Sequence, residues 1–309
     1  MAFAHGIMMH HFWDDRHPRG QGAISGDEFG RMLEWLNPER ILPATEWMER
    51  AEQGTLRPND LCLTFDDALR CQYDIAVPIL KKYGLTAFWF VYSSVFQGGV
   101  EPLEVFRYFR TVAFPDIEAF YRAFDAAVLD SNYADLVQKA DKVTDYYRHL
   151  AEFEHYTLTD RRFRYLRDYI LGATAYNTVM WQMIRQSGWE SRIPPDLLWM
   201  NDASLIELAS DGHVIGLHSF SHPMALADLS VEEQRLEYAR NVAHLQNCLG
   251  DLPVAMSHPC NSYNADTLRI LHEMNIRIGF RSNMARPDLG LLEMPRRDHA
   301  NVMTEMNLR

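Results

Sequence analysis

The sequence predicts an α/β fold in which one barrel-like domain is interrupted by a single helical insertion. Three observations predict it. Short apolar runs alternate with helix signals over the first hundred residues, and the same alternation resumes at residue 203. Between about 101 and 200 strand signals vanish while helical stretches of mixed charge continue. The length, 309 residues, suits either two domains or one large α/β barrel and does not decide between them.

The elements follow in order. Ile7 to His11 reads as a first strand. Ser25-Gly26-Asp27-Glu28 is a capping box, because the hydroxyl and the carboxylate each satisfy an orphan backbone N–H at a helix start; Phe29, Met32, Leu33 and Leu36 then recur at helical spacing. Leu61–Phe65 follows Pro58-Asn59-Asp60 turn chemistry, and Leu85–Val91 follows Tyr83-Gly84. Between these strands, Cys71–Tyr83 carries Ile75, Ile79 and Leu80 on one face of a helix. The stretch 101–200 holds 19 of the 37 aromatic residues, read as the core of a helical insertion ahead of a sugar-stacking platform; Asp160–Leu171 reads as helix within it. A helix at Ala203–Ala209 ends near Gly212 and leads to a strand at His213–His218. A second capping box, Ser230-Val231-Glu232-Glu233, opens a helix to Leu249 that Gly250 stops. Val254–Ser257, a helix over Ala265–Met274 and a strand over Ile276–Arg281 complete the pattern.

Composition excludes several classes. With 47% hydrophobic and 23% charged residues the chain is neither disordered nor fibrous. Its 42 acidic against 30 basic residues, net −12, repel a polyphosphate backbone and argue against nucleic-acid binding. Residues 101–200 hold 12 basic and 15 acidic residues, so most of the negative charge belongs to the barrel segments. Cys62, Cys71, Cys248 and Cys260 form no CxxC pair, which fits a reducing compartment. There is no basic, apolar leader at the N-terminus and no apolar window of about 18 residues, so a cytoplasmic protein without a transmembrane segment is expected.

Two blocks carry chemistry. Asp66 and Asp67 end the Leu61–Phe65 strand, where parallel α/β folds build their sites; they are either an N-cap pair or a metal ligand beside a proton-transfer group. His218-Ser219-Phe220-Ser221-His222-Pro223 follows another buried strand and sets two imidazoles four residues apart. Asp67 with His218 and His222 is a two-histidine, one-carboxylate set that leaves coordination positions open.

With Thr64-Phe65-Asp66-Asp67 and the histidine block, Ser257-His258-Pro259-Cys260-Asn261-Ser262-Tyr263-Asn264 completes three motifs that resemble the polysaccharide deacetylase family, also known as NodB-homology or carbohydrate esterase family four. Met8-Met9-His10-His11 and Pro78–Leu85 also fit, so the resemblance spans about 1–95 and 203–300 and leaves the middle unmatched. It implies a deformed (β/α) barrel of about seven strands, NodB-like, forming a single domain over 1–309 that a large helical insertion interrupts at about 101–200. It further implies a divalent metal, zinc foremost, with cobalt, nickel or iron as alternatives, held by Asp67, His218 and His222. Asp66 is then the general base for water attacking an amide carbonyl, and the Cys260 backbone N–H helps to hold the oxyanion. Pro259 and Asn264 fall at substrate-binding positions, although Asn264, like Ser219, is also a residue that fixes its loop by side-chain-to-backbone bonds.

The departures set further expectations. Ser257 stands where the motif has an arginine that pairs with the catalytic aspartate, so Arg296, or failing it Arg297, is expected to supply that charge from the Met294–His299 segment. On a strand the two face opposite ways. His299 is the candidate general acid, against a plain surface pair with Asp298. Ala68 replaces the usual glycine, which asks only for helical or extended backbone there, and His10 and His258 are read as packed histidines ahead of pocket residues. The implied activity is removal of an acyl group, most simply acetyl, from an N-acylated sugar that is nucleotide-linked, lipid-linked or a glycan terminus, in surface polysaccharide or lipopolysaccharide O-antigen biosynthesis. The insertion is expected to narrow the groove against long polymers. A deformylase or other amide hydrolase, and a catalytically silent carbohydrate-binding homologue, remain alternatives.

Overall fold

The computed structural model describes residues 3–150, 157–285 and 290–307. Seven strands, β1 (His5–Met9), β2 (Leu61–Asp66), β3 (Phe88–Val91), β4 (Val214–Leu217), β5 (Ala255–Ser257), β6 (Ile278–Phe280) and β7 (Arg296–Asp298), form one sheet in the order β6-β5-β4-β3-β2-β1-β7. Every pairing is parallel. Met294, just ahead of β7, bridges Phe280 of β6, so the sheet curls into a nearly closed barrel. The predicted deformed seven-stranded barrel is what the chain forms.

The packing follows from strand alternation. Phe88 and Phe90 share one face of β3 and meet Phe280 and Trp47, the last from a helix, Ala44–Glu52, that apolar periodicity did not single out. On the other face Trp89 stacks on Phe65 at 4.2 Å. Both predicted capping boxes form, Ser25 with Glu28 and Ser230 with Glu233, and Gly250 ends its helix in the left-handed conformation.

Several boundaries move. The first strand is His5–Met9, not Ile7–His11, because its pairing runs with Leu61–Phe65 and leaves His10 and His11 beyond the ladder. Strands three and six shrink to four and three residues. The helix expected over Cys71–Tyr83 begins as a wide π turn at Gln72–Ala76, where the buried Gln72 amide donates to the carbonyls of His10 (2.8 Å) and Asp66 (2.7 Å).

The chain divides into two compact units, one made of Met1–Glu101 with Pro195–Arg309, the other of Pro102–Pro194. The second has no strand among its described residues. Its helices, Pro102–Val112, Ile117–Leu129, Ala134–Val143, Leu158–Tyr165 and Gly172–Gln186, bury Phe106, Phe109, Phe120, Phe124, Phe163 and Tyr176. The predicted helix at Asp160–Leu171 is α-helical to Tyr165 and π-helical over Leu166–Leu171. No described helix is long and apolar enough to cross a membrane.

Candidate active site

The site is built at the carboxyl ends of β1, β2, β4, β5 and β7. Asp66 closes β2 on the same face as Thr64, turned inward and only 2% exposed. The chain then enters the left-handed region at Asp67 (φ 77) and Ala68 (φ 52), which swings the Asp67 carboxylate to the other side. Helical or extended backbone, as expected at Ala68, is therefore not what forms: an alanine takes the conformation a glycine adopts without strain, tied by Met200 N–H donating to its carbonyl at 2.9 Å.

After β4, Ser219 (φ 61) and His222 (φ 55) fold the histidine block back on itself, with His222 N–H donating to Ser219 Oγ at 3.1 Å. Glu237 accepts the Phe220 and Ser221 N–H groups and fixes the loop. His218 Nε2 and His222 Nε2 lie 3.4 and 3.5 Å from Asp67 Oδ1. Both spacings are close to the ~3.4 Å that tetrahedral ligands with ~2.1 Å bonds would show.

Two further observations show that this set fits a divalent metal. Asp67 Oδ1 is a buried oxygen with no hydrogen-bond partner. His218 Nδ1 faces the Ser257 carbonyl at 2.9 Å; a carbonyl only accepts, so Nδ1 carries a proton and Nε2 is the nitrogen turned toward the site. Burial, reinforced by the His218 and His10 charges, lowers the His222 pKa to about 4 and keeps that ring neutral and ligating. Burial alone would raise the Asp67 carboxyl, but His218, His222 and His10 hold it well below the usual carboxylate range.

Arg296 answers the missing arginine. It is 1% exposed and all five of its N–H donors are used: Nε to the Arg281 carbonyl (2.7 Å), Nη1 to Asp66 Oδ1 (2.6 Å) and Thr64 Oγ1 (3.2 Å), Nη2 to Asp66 Oδ2 (2.7 Å) and Ser257 Oγ (2.6 Å). The short Ser257 side chain leaves the space this fork fills from β7. Gly6 makes the crossing possible, since a Cβ there would lie 3.1 Å from Arg296 Cγ. Arg297 faces the other way and pairs with Glu305. Burial pushes the Asp66 carboxyl up, but Arg296, with His218 and His10, overcomes this and holds it ionised.

A family model described as polysaccharide deacetylase matches residues 153–279. The resemblance to the polysaccharide deacetylase family holds. The match takes in the histidine block and the Ser257–Asn264 block, enters the middle stretch that the motifs left unmatched, and stops short of Asp66 and Asp67. Solved structures share the fold. The Streptococcus pyogenes deacetylase PplD in complex with acetate superposes with a TM-score of 0.57 at 17% identity, covering 96% of this chain and 92% of that one. IcaB from Ammonifex degensii gives 0.55 at 17% identity over 96% and 91%, and the BpsB deacetylase domain from Bordetella bronchiseptica 0.54 at 16% over 96% and 95%. No curated protein matches the sequence. Polysaccharide deacetylases are hydrolases of carbon–nitrogen bonds, and that is the class the match implies.

Other expected residues fall less simply against the polysaccharide deacetylase pattern. Pro259 and Cys260 form the turn after β5, with Pro259 buried, Cys260 exposed and left-handed at φ 49, ψ 21. Asn264, expected at substrate, instead caps the helix Ala265–Glu273: Oδ1 accepts from Thr267 N–H (3.0 Å) and Nδ2 donates to Ala227 (2.9 Å), so both ends of its amide are committed. His299, the expected acid, is buried with its ring nitrogens 2.9 Å from the Gly22 carbonyl and 3.3 Å from the Met8 carbonyl. The histidine that reaches the carboxylates is His10, with Nε2 4.0 Å from Asp66 and 3.9 Å from Asp67. No local sequence signal marks it: the register that pairs Met9 with Phe65 sets His10 beside Asp66. His258 is packed as expected, stacked on Tyr263 at 4.0 Å with Nε2 on the Leu292 carbonyl.

Proposed function

We propose that the protein is a metal-dependent deacetylase that hydrolyses the N-acetyl amide of an amino sugar. One observation carries this reading: His218 and His222 lie 3.4 and 3.5 Å from a buried Asp67 oxygen that has no hydrogen-bond partner, next to an Asp66 that Arg296 keeps ionised. Such a donor set suits zinc, cobalt, nickel or iron. A bound divalent ion supplies Lewis acidity toward water and the amide carbonyl. Asp66, 3.9 Å from His218 and anchored by its guanidinium, accepts the proton of the attacking water. Holding the carboxylate rigid keeps its free lone pairs aimed at one place, and burial excludes competing solvent. The left-handed Cys260 turn presents backbone to the developing oxyanion. His10, half-buried and within 4.0 Å of Asp66, is placed to protonate the departing amine in the role first given to His299.

A cavity of about 260 Å³ is lined by Arg70, Phe96, Trp199, Met200 and Asn201, and by none of the candidate ligands. That is under the ~300–1,000 Å³ of most small-molecule sites. We infer a non-polymeric substrate, a single N-acetylated sugar borne by a nucleotide, a lipid carrier or a glycan terminus, as in surface polysaccharide or lipopolysaccharide assembly. Acetate release from such sugars by the zinc-loaded protein, lost in Asp66→Asn by about 10³-fold while the tight zinc equivalent remains, tests the reading. Formate release from N-formyl analogues in place of acetate shifts the acyl group, and undiminished turnover in Asp66→Asn contradicts the mechanism.

A further inference from the structure

We propose that His10, Asp298 and His299 form a second divalent-cation site beside the first. The register that pairs Met8 of β1 with Asp298 of β7 brings the residues after each strand together. One ligand atom from each of His10, Asp298 and His299 lies within 4.8 Å of the other two, and His299 Nδ1 is 3.4 Å from Asp298 Oδ1, the edge length seen in the first set.

The polar surroundings of His299 fit a cation. The ring is 5% exposed, and besides His10 it faces the Gly22 carbonyl at 2.9 Å from Nε2, the Met8 carbonyl at 3.3 Å from Nδ1 and the Asp298 carboxylate. All three are acceptors. A neutral imidazole has one N–H, and the shorter contact places it on Nε2, toward Gly22. Nδ1 then turns a lone pair toward two oxygens, a contact that a positive charge between them, a proton or a bound cation, relieves. Asp298 Oδ1 also accepts from Ala300 N–H at 2.7 Å and so starts the last helix, but capping uses one lone pair and leaves the Nδ1 edge unexplained. Two imidazoles and a carboxylate, with one imidazole oriented by a carbonyl behind it, form a donor set of the zinc type.

His10 stands between the two sets: its Nε2 is 3.9 Å from Asp67, and it also reaches Asp298 and His299. Filling the second site takes His10 as a ligand and ends its service as a proton donor. Excess zinc therefore inhibits; this consequence, unlike the binding itself, rests on the function proposed above.

Zinc equivalents per chain, read by equilibrium dialysis with elemental analysis, test the site. Wild type takes up two, one tight and one at least tenfold weaker. His299→Gln and Asp298→Asn each keep the tight equivalent, which reports an intact fold, and lose the weak one. Asp67→Asn loses the tight equivalent and keeps the weak one, so the second site is detected even where the deacetylase reading fails. Excess zinc inhibits wild type and spares His299→Gln. Saturation of wild type at one equivalent, two equivalents in His299→Gln, or nitrogen-15 shifts showing both His299 nitrogens protonated and unmoved by zinc overturns the proposal.

Discussion

At the scale of single residues, the pair Arg296–Asp66 carries the most consequence. A buried guanidinium that spends all five donors cannot be replaced by another cation without leaving acceptors unpaired. Arg296→Leu strands the Asp66 carboxylate and is expected to cost about 3–5 kcal/mol in chemical denaturation. Arg296→Lys keeps the charge but loses the fork, so kcat falls by at least tenfold with the tight zinc equivalent retained; wild-type kcat in the lysine variant contradicts a positioning role. That Asp66, Asp67, His218 and His222 gather at one place was legible in the sequence because each pair sits within one short block. Arg296 was legible only as one of two adjacent arginines, since strand parity, not composition, decides which faces inward. His10 was not legible as a site residue: its place depends on the β1–β2 register, which no local pattern encodes. Asn264 was readable both as a substrate residue and as a loop-fixing one, and the structure shows it in the second role, as a helix cap.

At the scale of elements, the site loops concentrate backbone strain. Of nine non-glycine residues with positive φ among the described residues, six, namely Asp67, Ala68, Ser219, His222, Cys260 and Asn261, lie in the three loops after β2, β4 and β5. Strand existence was readable from apolar runs, whereas strand ends were not, because a ladder stops where its partner stops. The start of β4 yields a pH prediction. Burial lowers the His213 pKa to about 4, and its Nδ1 accepts the Ala87 N–H at 2.9 Å. Unfolded, the ring titrates near 6.5, so the unfolded state takes up the proton first as pH falls. Stability is full above about 6.5 and declines toward 4, by roughly 3 kcal/mol at most from this group. His213→Gln keeps an acceptor without the titration, so its denaturation midpoint changes less between pH 7 and 4.5 than that of wild type; parallel profiles contradict the assignment.

For the whole molecule, the alternation of strand and helix signals revealed a barrel and an interruption, and the structure gives the interruption its own core. Phe163 lies 5.0–5.4 Å from the rings of Phe120, Tyr121 and Phe124. Phe163→Ala is expected to cost about 3–5 kcal/mol within that unit. Because the ligands Asp67, His218 and His222 all belong to the other unit, the variant's tight zinc affinity stays within twofold of wild type, measured by competition with a chromogenic chelator. The aromatic wealth of residues 101–200 was readable as packing, and the burial of Phe106, Phe109, Phe120 and Phe124 is that packing. The shared fold of deacetylases at 16–17% identity shows how little sequence such a barrel requires, while Asp66 and Asp67 make the chemical claim specific to this chain. The most direct measurement of that claim is acetate released from an N-acetylated sugar nucleotide by protein stripped with a chelator and then given one equivalent of zinc. The account predicts no release before zinc, release after it, and none at any stage in Asp67→Asn; equal release before and after zinc would contradict it.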